Sequence, residues 1–313
     1  MEPRFPQAEE VPDEAGRTAL TDPQSGESIK AIWNREIEFC RLDLGGTYLS
    51  YIDAGAGRPI VLIPGWMGSA FNFAPQIEAL ASDFRVICFD PIGSGMSDRP
   101  SIAYSPAEHF RFARRFIEKL RVWPSVVVGH SMGGAIAYAL ASENPELVRG
   151  LAMIAPRPPV LAKEPVAQRL FRQTARRFPR ASESLVASAI KSTSAQIAKS
   201  NVPKGLFENT GEIRDFLSSI LKSRGFSRAA ARTLIQLENW SEWSGRLREI
   251  EAPSLVIWGT KDKVNPMANT SEITAELPEA EVALIEGAGH LPTLEAPEAV
   301  NEAVVAFAKR ILE

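Results

Sequence analysis

The chain has 313 residues, with 35 Lys+Arg against 38 Asp+Glu, and 45% of it is hydrophobic. These are the proportions of an ordinary soluble globular protein, and the length allows one large core with room for an insertion. Two cysteines, Cys40 and Cys88, exclude a disulfide framework, and no Cys/His cluster has metal-ligand spacing, so neither a metal nor a cofactor is expected.

Residues 1–35 are rich in Pro, Glu, Asp, Ser and Gly and contain no apolar run of signal-peptide type. No stretch approaches the ~20 apolar residues of a membrane span. This reads as an N-terminal extension of a cytoplasmic protein that packs on the body or contributes to a dimer, with Ile32 and Trp33 as candidate anchors. Oligomeric state is left open.

The body begins with two alternating strands, residues 36–44 and 47–53, joined at Gly45-Gly46, a hairpin signal. A third strand over 60–63 runs into Pro64-Gly65-Trp66-Met67-Gly68-Ser69. A helix near 73–82, a strand over 85–89 that carries Cys88 as a small apolar residue, and an Arg-rich amphipathic helix over 106–120 follow. The run Val126-Val127-Val128 then ends in Gly129-His130-Ser131-Met132-Gly133, and an Ala-rich helical stretch over 135–141 comes next. A buried parallel strand, one abrupt turn and a helix place a serine hydroxyl at the tip of the turn. The Met132 amide falls at the helix start, where a developing oxyanion finds a donor and a favourable dipole. The competing reading makes Ser131 a plain N-cap.

Strand and helix alternate up to a strand over 150–154, which implies a mostly parallel sheet with helices on both faces. The alternation breaks at Ala155, and from there to about Gly245 the pattern is helical, with strand character returning at Ser254. Residues 157–232 carry 15 Lys+Arg against 5 Asp+Glu, although the whole chain is net negative. Arg169, Arg172, Arg176, Arg177 and Arg180 share one amphipathic segment with Leu170, Phe171 and Phe178. The simplest reading is a solvated charged face. The sharper ones are attraction of an anionic substrate or weak contact with an acidic membrane surface. The acidic remainder argues against a nucleic-acid partner.

Three histidines supply the candidates for a base. His130 adjoins Ser131 and should point away from it. His109 reads as a surface or packing residue of the Arg-rich helix. His290 follows the strand-like run over 282–285 in the loop Gly287-Ala288-Gly289, at a strand end where open α/β sheets carry their sites. An imidazole that takes a proton from serine needs a carboxylate on its other nitrogen. Asp262, in the loop after the run Leu255-Val256-Ile257-Trp258, fits that role better than Glu286, which is too near His290 in sequence. Its plainer readings are a helix cap or a partner for Lys263.

The order Ser131, Asp262, His290 and the turn around Ser131 resemble the α/β-hydrolase superfamily over roughly residues 37–313. The loop 63–69 is similar to that family's oxyanion loop, with Pro64 where histidine is usual. Residues 89–100 are similar to its loop after the fourth strand, and residues 290–297 to its histidine loop. The resemblance implies an eight-stranded, mostly parallel sheet built from residues 36–155 and 246–313, with a helical cap over 156–245. It implies backbone oxyanion donors at Trp66 and Met132 and loop-ordering roles for Asp90, Asp98 and Glu295. Trp66, Met67 and Met132 read as one wall of the pocket, with Trp240 and Trp243 of the cap shaping the rest. The implied activity is hydrolysis of a small-molecule carboxylic ester or lactone. A C–C bond hydrolase, a cofactor-free perhydrolase and a weakly catalytic ligand-binding relative use the same frame. Aspartate-nucleophile dehalogenases and epoxide hydrolases do not fit a serine at this turn.

Overall fold

A computed structural model describes residues 7–8, 17–21, 38–160, 166–200 and 210–313. Ile32 and Trp33 lie outside the described residues. In chain order the elements are β1 (Gln7–Ala8), β2 (Arg17–Thr21), β3 (Glu38–Asp43), β4 (Tyr48–Ala54), β5 (Pro59–Ile63), α1 (Ala74–Leu80), β6 (Arg85–Phe89) and α2 (Pro106–Leu120). They continue with β7 (Ser125–His130), α3 (Met132–Glu143), β8 (Val148–Ile154), α4 (Val166–Arg177), α5 (Pro179–Ser200), α6 (Thr210–Lys222) and α7 (Phe226–Gln236). The C-terminal part is β9 (Ser254–Gly259), α8 (Thr270–Glu276), β10 (Glu281–Ile285), the single turn α9 (Pro292–Glu295) and α10 (Pro297–Leu312).

The strands form one sheet in the order β1-β2-β3-β4-β6-β5-β7-β8-β9-β10. From β6 to β10 every neighbouring pair is parallel, and β1 to β4 are antiparallel to their neighbours. The eight strands β3–β10 are the expected mostly parallel sheet. The first two strands were not expected: Arg17–Thr21 pairs with β3, and Gln7–Ala8 pairs with Arg17–Thr21 in turn, so part of the N-terminal extension lengthens the sheet to ten strands.

Local chemistry explains the element ends. Asp43 accepts hydrogen bonds from the Gly45 and Gly46 amides, and both glycines have positive φ, which closes the β3–β4 hairpin. Ser105 and Glu108 form a reciprocal capping box at the start of α2, with Pro106 in the first helical position. A short 3-10 turn over Ala70–Phe73 precedes α1, so that helix begins one residue later than expected, with Pro75 in its first turn.

Both sheet faces are packed. One face gathers Leu62, Val128, Ile154 and Ile257 with α1 and α10, and the other gathers Val61, Val127, Met153 and Val256 with α2 and α3. Every residue of β7 and β9 is buried, which accounts for their continuous apolar runs. Because β5 to β10 run parallel, the loops after all six strands open along one edge of the sheet. The helices α4–α7 join β8 to β9. No helix among the described residues is long and apolar enough to cross a membrane.

Candidate active site

Ser131 sits between β7 and α3 with φ +53° and ψ −115°, a region that non-glycine residues avoid. Such a conformation typically costs ~1–3 kcal/mol and persists only where its surroundings enforce it. Here they do. The Ser131 amide donates to the Ile154 carbonyl at 2.9 Å, and the Arg157 amide donates to the Ser131 carbonyl at 3.0 Å. The flanking glycines are steric requirements. A Cβ on Gly133 would stand 1.9 Å from the Ile63 carbonyl oxygen, and one on Gly129 would stand 2.2 Å from the Gly133 carbonyl oxygen. The turn therefore presents the serine hydroxyl at the sheet edge while its backbone is locked between β5 and β8.

His290 reaches this hydroxyl from the loop after β10. Its Nε2 lies 3.0 Å from Ser131 Oγ, and its Nδ1 lies 2.7 Å from Asp262 Oδ2. Asp262 is fully enclosed as a side chain. Its other oxygen accepts from the Val264 and Asn265 amides, both at 2.8 Å. One carboxylate oxygen is thus fixed by backbone and the other is aimed at the imidazole. The loop that carries His290 is pinned by Glu295, which accepts from the Gly289 and Leu291 amides at 2.7 and 2.9 Å. Glu286, the rival acid, is exposed and accepts from the Thr260 hydroxyl instead.

The other histidines have structural settings. His109 is buried against α7, with Nε2 3.3 Å from the Thr233 hydroxyl, and burial lowers its pKa to about 4. His130 is also buried. Its Nε2–H donates to the His290 carbonyl at 2.7 Å, and burial, with the nearby His290 ring, lowers its pKa to about 3.

The loop after β5 packs directly on the turn, since a Cβ on Gly65 would stand 3.1 Å from Ser131 Cβ. The Trp66 amide follows at once, and the Met132 amide is the first of α3, among the helix N–H groups that lack an internal partner. The Trp66 indole N–H donates to the Ala230 carbonyl of α7 at 2.9 Å, so this loop is tied to the helical segment. Met67 is half-buried beside it at φ +60°. Asp90 is buried beneath the loops, accepts from the Ala70 and Met96 amides at 2.8 and 2.7 Å, and is raised by burial to about 6. Asp98 accepts from the Tyr48 amide and pairs with Arg41.

Two expected pocket residues are not at the site. Trp240 packs with its ring 6.2 Å from that of Tyr138, and Trp243 lies beside Phe110 with its indole N–H donating to Glu143 at 3.1 Å. Glu143 is the last residue of α3, roughly 16 Å along the helix from its first residue at 1.5 Å per residue. Both tryptophans fill the core beneath α2 and α3, where an indole with a nearby carboxylate is satisfied without a ligand.

Asn265 is a site residue that sequence reasoning missed. Its buried side-chain amide donates to the Ala155 and Pro156 carbonyls at 3.3 and 2.6 Å and accepts from Asn269. It bridges the Asp262 loop to the chain just after β8. Its one sequence signal was its place three residues after Asp262, ahead of Pro266.

A family model described as the α/β-hydrolase fold matches residues 58–297. The chain belongs to the α/β-hydrolase family. Among curated relatives, it is 27% identical over 278 residues to a dihydrolipoyllysine-residue acetyltransferase component of the acetoin cleaving system of Pseudomonas putida, covering 86% of this chain and 69% of that one. It is 25% identical over 280 residues to the 2-hydroxy-6-oxo-6-(2'-aminophenyl)hexa-2,4-dienoic acid hydrolase of Metapseudomonas resinovorans, covering 86% and 90% of the two chains. Among solved structures, a malate-bound thermophilic esterase from Thermogutta terrifontis superposes with a TM-score of 0.67 at 23% identity, covering 87% of this chain and 99% of that one.

Proposed function

We propose that the protein is a serine hydrolase that cleaves a small or medium carboxylic ester, or a lactone, through an acyl-enzyme on Ser131. The observation that carries this reading is the continuous hydrogen-bond chain from Ser131 Oγ through His290 to Asp262. His290 Nε2 takes the serine proton as Oγ attacks the carbonyl carbon. The negative charge that develops on the carbonyl oxygen is met by the Trp66 and Met132 amides, and loss of one such donor typically costs ~3 kcal/mol of transition-state stabilisation. His290 then protonates the leaving alcohol. Water, deprotonated by His290, attacks the acyl-enzyme and releases the acid. Asp262 stays ionised throughout, holding the imidazole tautomer and stabilising its protonated form.

In this reading residues 156–245 are a cap that shapes the substrate pocket, with the Trp66–Ala230 bond as one of its ties to the core. A substrate with a carboxylate group suits the basic character of residues 157–232. The dienoic acid in the name of the Metapseudomonas relative favours the same substrate charge. That relative also supports a second reading, C–C bond hydrolysis by the same residues. A panel of aryl and alkyl esters, lactones and dienoic diketones, assayed against Ser131→Ala, tests both. Esters or lactones turned over by the wild type and lost by at least ~10⁴-fold in the variant support the first reading. Preferential cleavage of the diketones supports the second, and equal activity of wild type and variant rejects both.

A further inference from the structure

The corner where α4 meets α5 leaves large apolar side chains in water. Leu170 is 58% exposed, Phe178 57% and Leu185 63%. Leu170 lies on α4, with Ala175 fully buried on the far side of that helix, and Phe178 is the single residue between α4 and α5. On α5, Ser182, Val186 and Ile190 are buried, which turns Ala181, Leu185 and Ala189 outward. The exposed apolar groups are interleaved with exposed cations. Arg169, Arg177 and Arg180 all face solvent, and the Arg177 guanidinium lies 5.6 Å from the Phe178 ring centroid.

We propose that this corner docks on an anionic lipid surface, with Leu170, Phe178 and Leu185 entering the headgroup–acyl boundary and the arginines engaging lipid phosphates. A membrane interface suits this mixture, because apolar side chains gain from burial only a few ångströms below a layer of phosphates that guanidinium groups bind. The charge distribution selects among occupants. Residues 157–232 carry a surplus of ten positive charges on a chain whose net charge is −3, so the molecule is polarised and would orient this face towards an anionic surface. A second copy presenting the same face would bring like charges together. Nucleic acid would neutralise the arginines but leave the leucines without an apolar partner.

The test is co-sedimentation of the full-length protein with phosphatidylglycerol-rich vesicles and with pure phosphatidylcholine vesicles, at low and high salt. The double variant Leu170→Ser/Phe178→Ser and the triple variant Arg169→Gln/Arg177→Gln/Arg180→Gln are compared with wild type. All five positions are exposed, and circular dichroism checks that each variant is folded. The expected result is salt-sensitive binding to the phosphatidylglycerol vesicles, weakened about tenfold in the double variant and about a hundredfold in the triple variant. No binding at low salt overturns the proposal. Binding lost in the triple variant but unchanged in the double one shows adsorption by charge alone and overturns the inserted geometry. Self-association in sedimentation velocity without vesicle binding assigns the face to a second copy. The readout needs no turnover, so its failure is distinct from failure of the hydrolase reading.

Discussion

The buried imidazole of His130 donates to the backbone carbonyl of His290 at 2.7 Å, so the residue next to the candidate nucleophile also holds the loop of the candidate base. With its pKa lowered to about 3, His130 is neutral near neutral pH and acts as a donor through Nε2–H. His130→Ala removes that donor and leaves the His290 carbonyl without it, at a cost of about 1–3 kcal/mol. We expect kcat to fall by about tenfold or more, with KM little changed and the fold retained. A wild-type kcat in this variant would show that Glu295 alone orders the loop.

Asn265 should matter to stability and turnover together. Asn265→Ala leaves the buried Ala155 and Pro156 carbonyls without their side-chain donor, a loss of about 2–4 kcal/mol for the two contacts. Asn265→Asp, which sets a carboxylate against the same oxygens, should be worse. Urea midpoints for both variants, read beside kcat, check this ordering. Two midpoints at the wild-type value would mean that the bridge does not carry the Asp262 loop.

Two glycines of the Ser131 turn and its neighbouring loop should behave differently. Gly133→Ala drives a methyl into the Ile63 carbonyl at 1.9 Å, where backbone must move, so we expect insoluble or inactive protein. Gly65→Ala meets Ser131 Cβ and His130 Nδ1 at 3.1 Å, a contact relieved by small shifts. That variant should fold with near-normal thermal stability and show reduced kcat. Thermal melts and turnover of the pair make the comparison.

Acid should destabilise the fold through its buried histidines. His109 and His130 bind protons in the unfolded chain below their ordinary value of 6.5, but in the folded protein only near 4 and 3. Their stabilising contribution is therefore full above pH 6.5 and is lost as pH falls, at about 1.4 kcal/mol per pH unit each. Asp90, raised from 3.8 to about 6, has the opposite sign and favours the folded state between those values. These three groups together leave a net loss of about 1.4 kcal/mol per pH unit between pH 6 and 4. Urea unfolding over that range, with His109→Gln flattening the slope, provides the measurement. Stability that rises on acidification would contradict the assignment.

The parts of this architecture that can be read from the chain are those where local and global preferences agree. Arg85–Phe89 and Pro106–Leu120 are found at their expected bounds, because one is a buried apolar run of four residues led in by Arg85 and the other carries a complete N-terminal capping box. The turn at Ser131 could be read because its glycines answer steric demands that few other residues meet. Gln7–Ala8 and Arg17–Thr21 are not legible in the sequence because neither is apolar or alternating, and they are held by pairing, Arg17–Thr21 with the distant β3 and Gln7–Ala8 with Arg17–Thr21. That Trp240 and Trp243 pack in the core rather than at the site is illegible for a related reason. Nothing in the local sequence says whether an indole faces a pocket or, as here, the flank of α3. Asn265 and His130 act on backbone carbonyls of distant segments, a relationship that spacing alone does not reveal.

Hydrolysis by this site requires Ser131 to be a nucleophile activated by His290. Intact-mass spectrometry after reaction with a fluorophosphonate, followed by peptide mapping, tests this most directly. One adduct on Ser131 is expected in the wild type, none in Ser131→Ala, and strongly slowed labelling in His290→Ala. A folded wild-type protein that stays unmodified, or that labels at another residue with Ser131→Ala unaffected, would contradict this reading of Ser131.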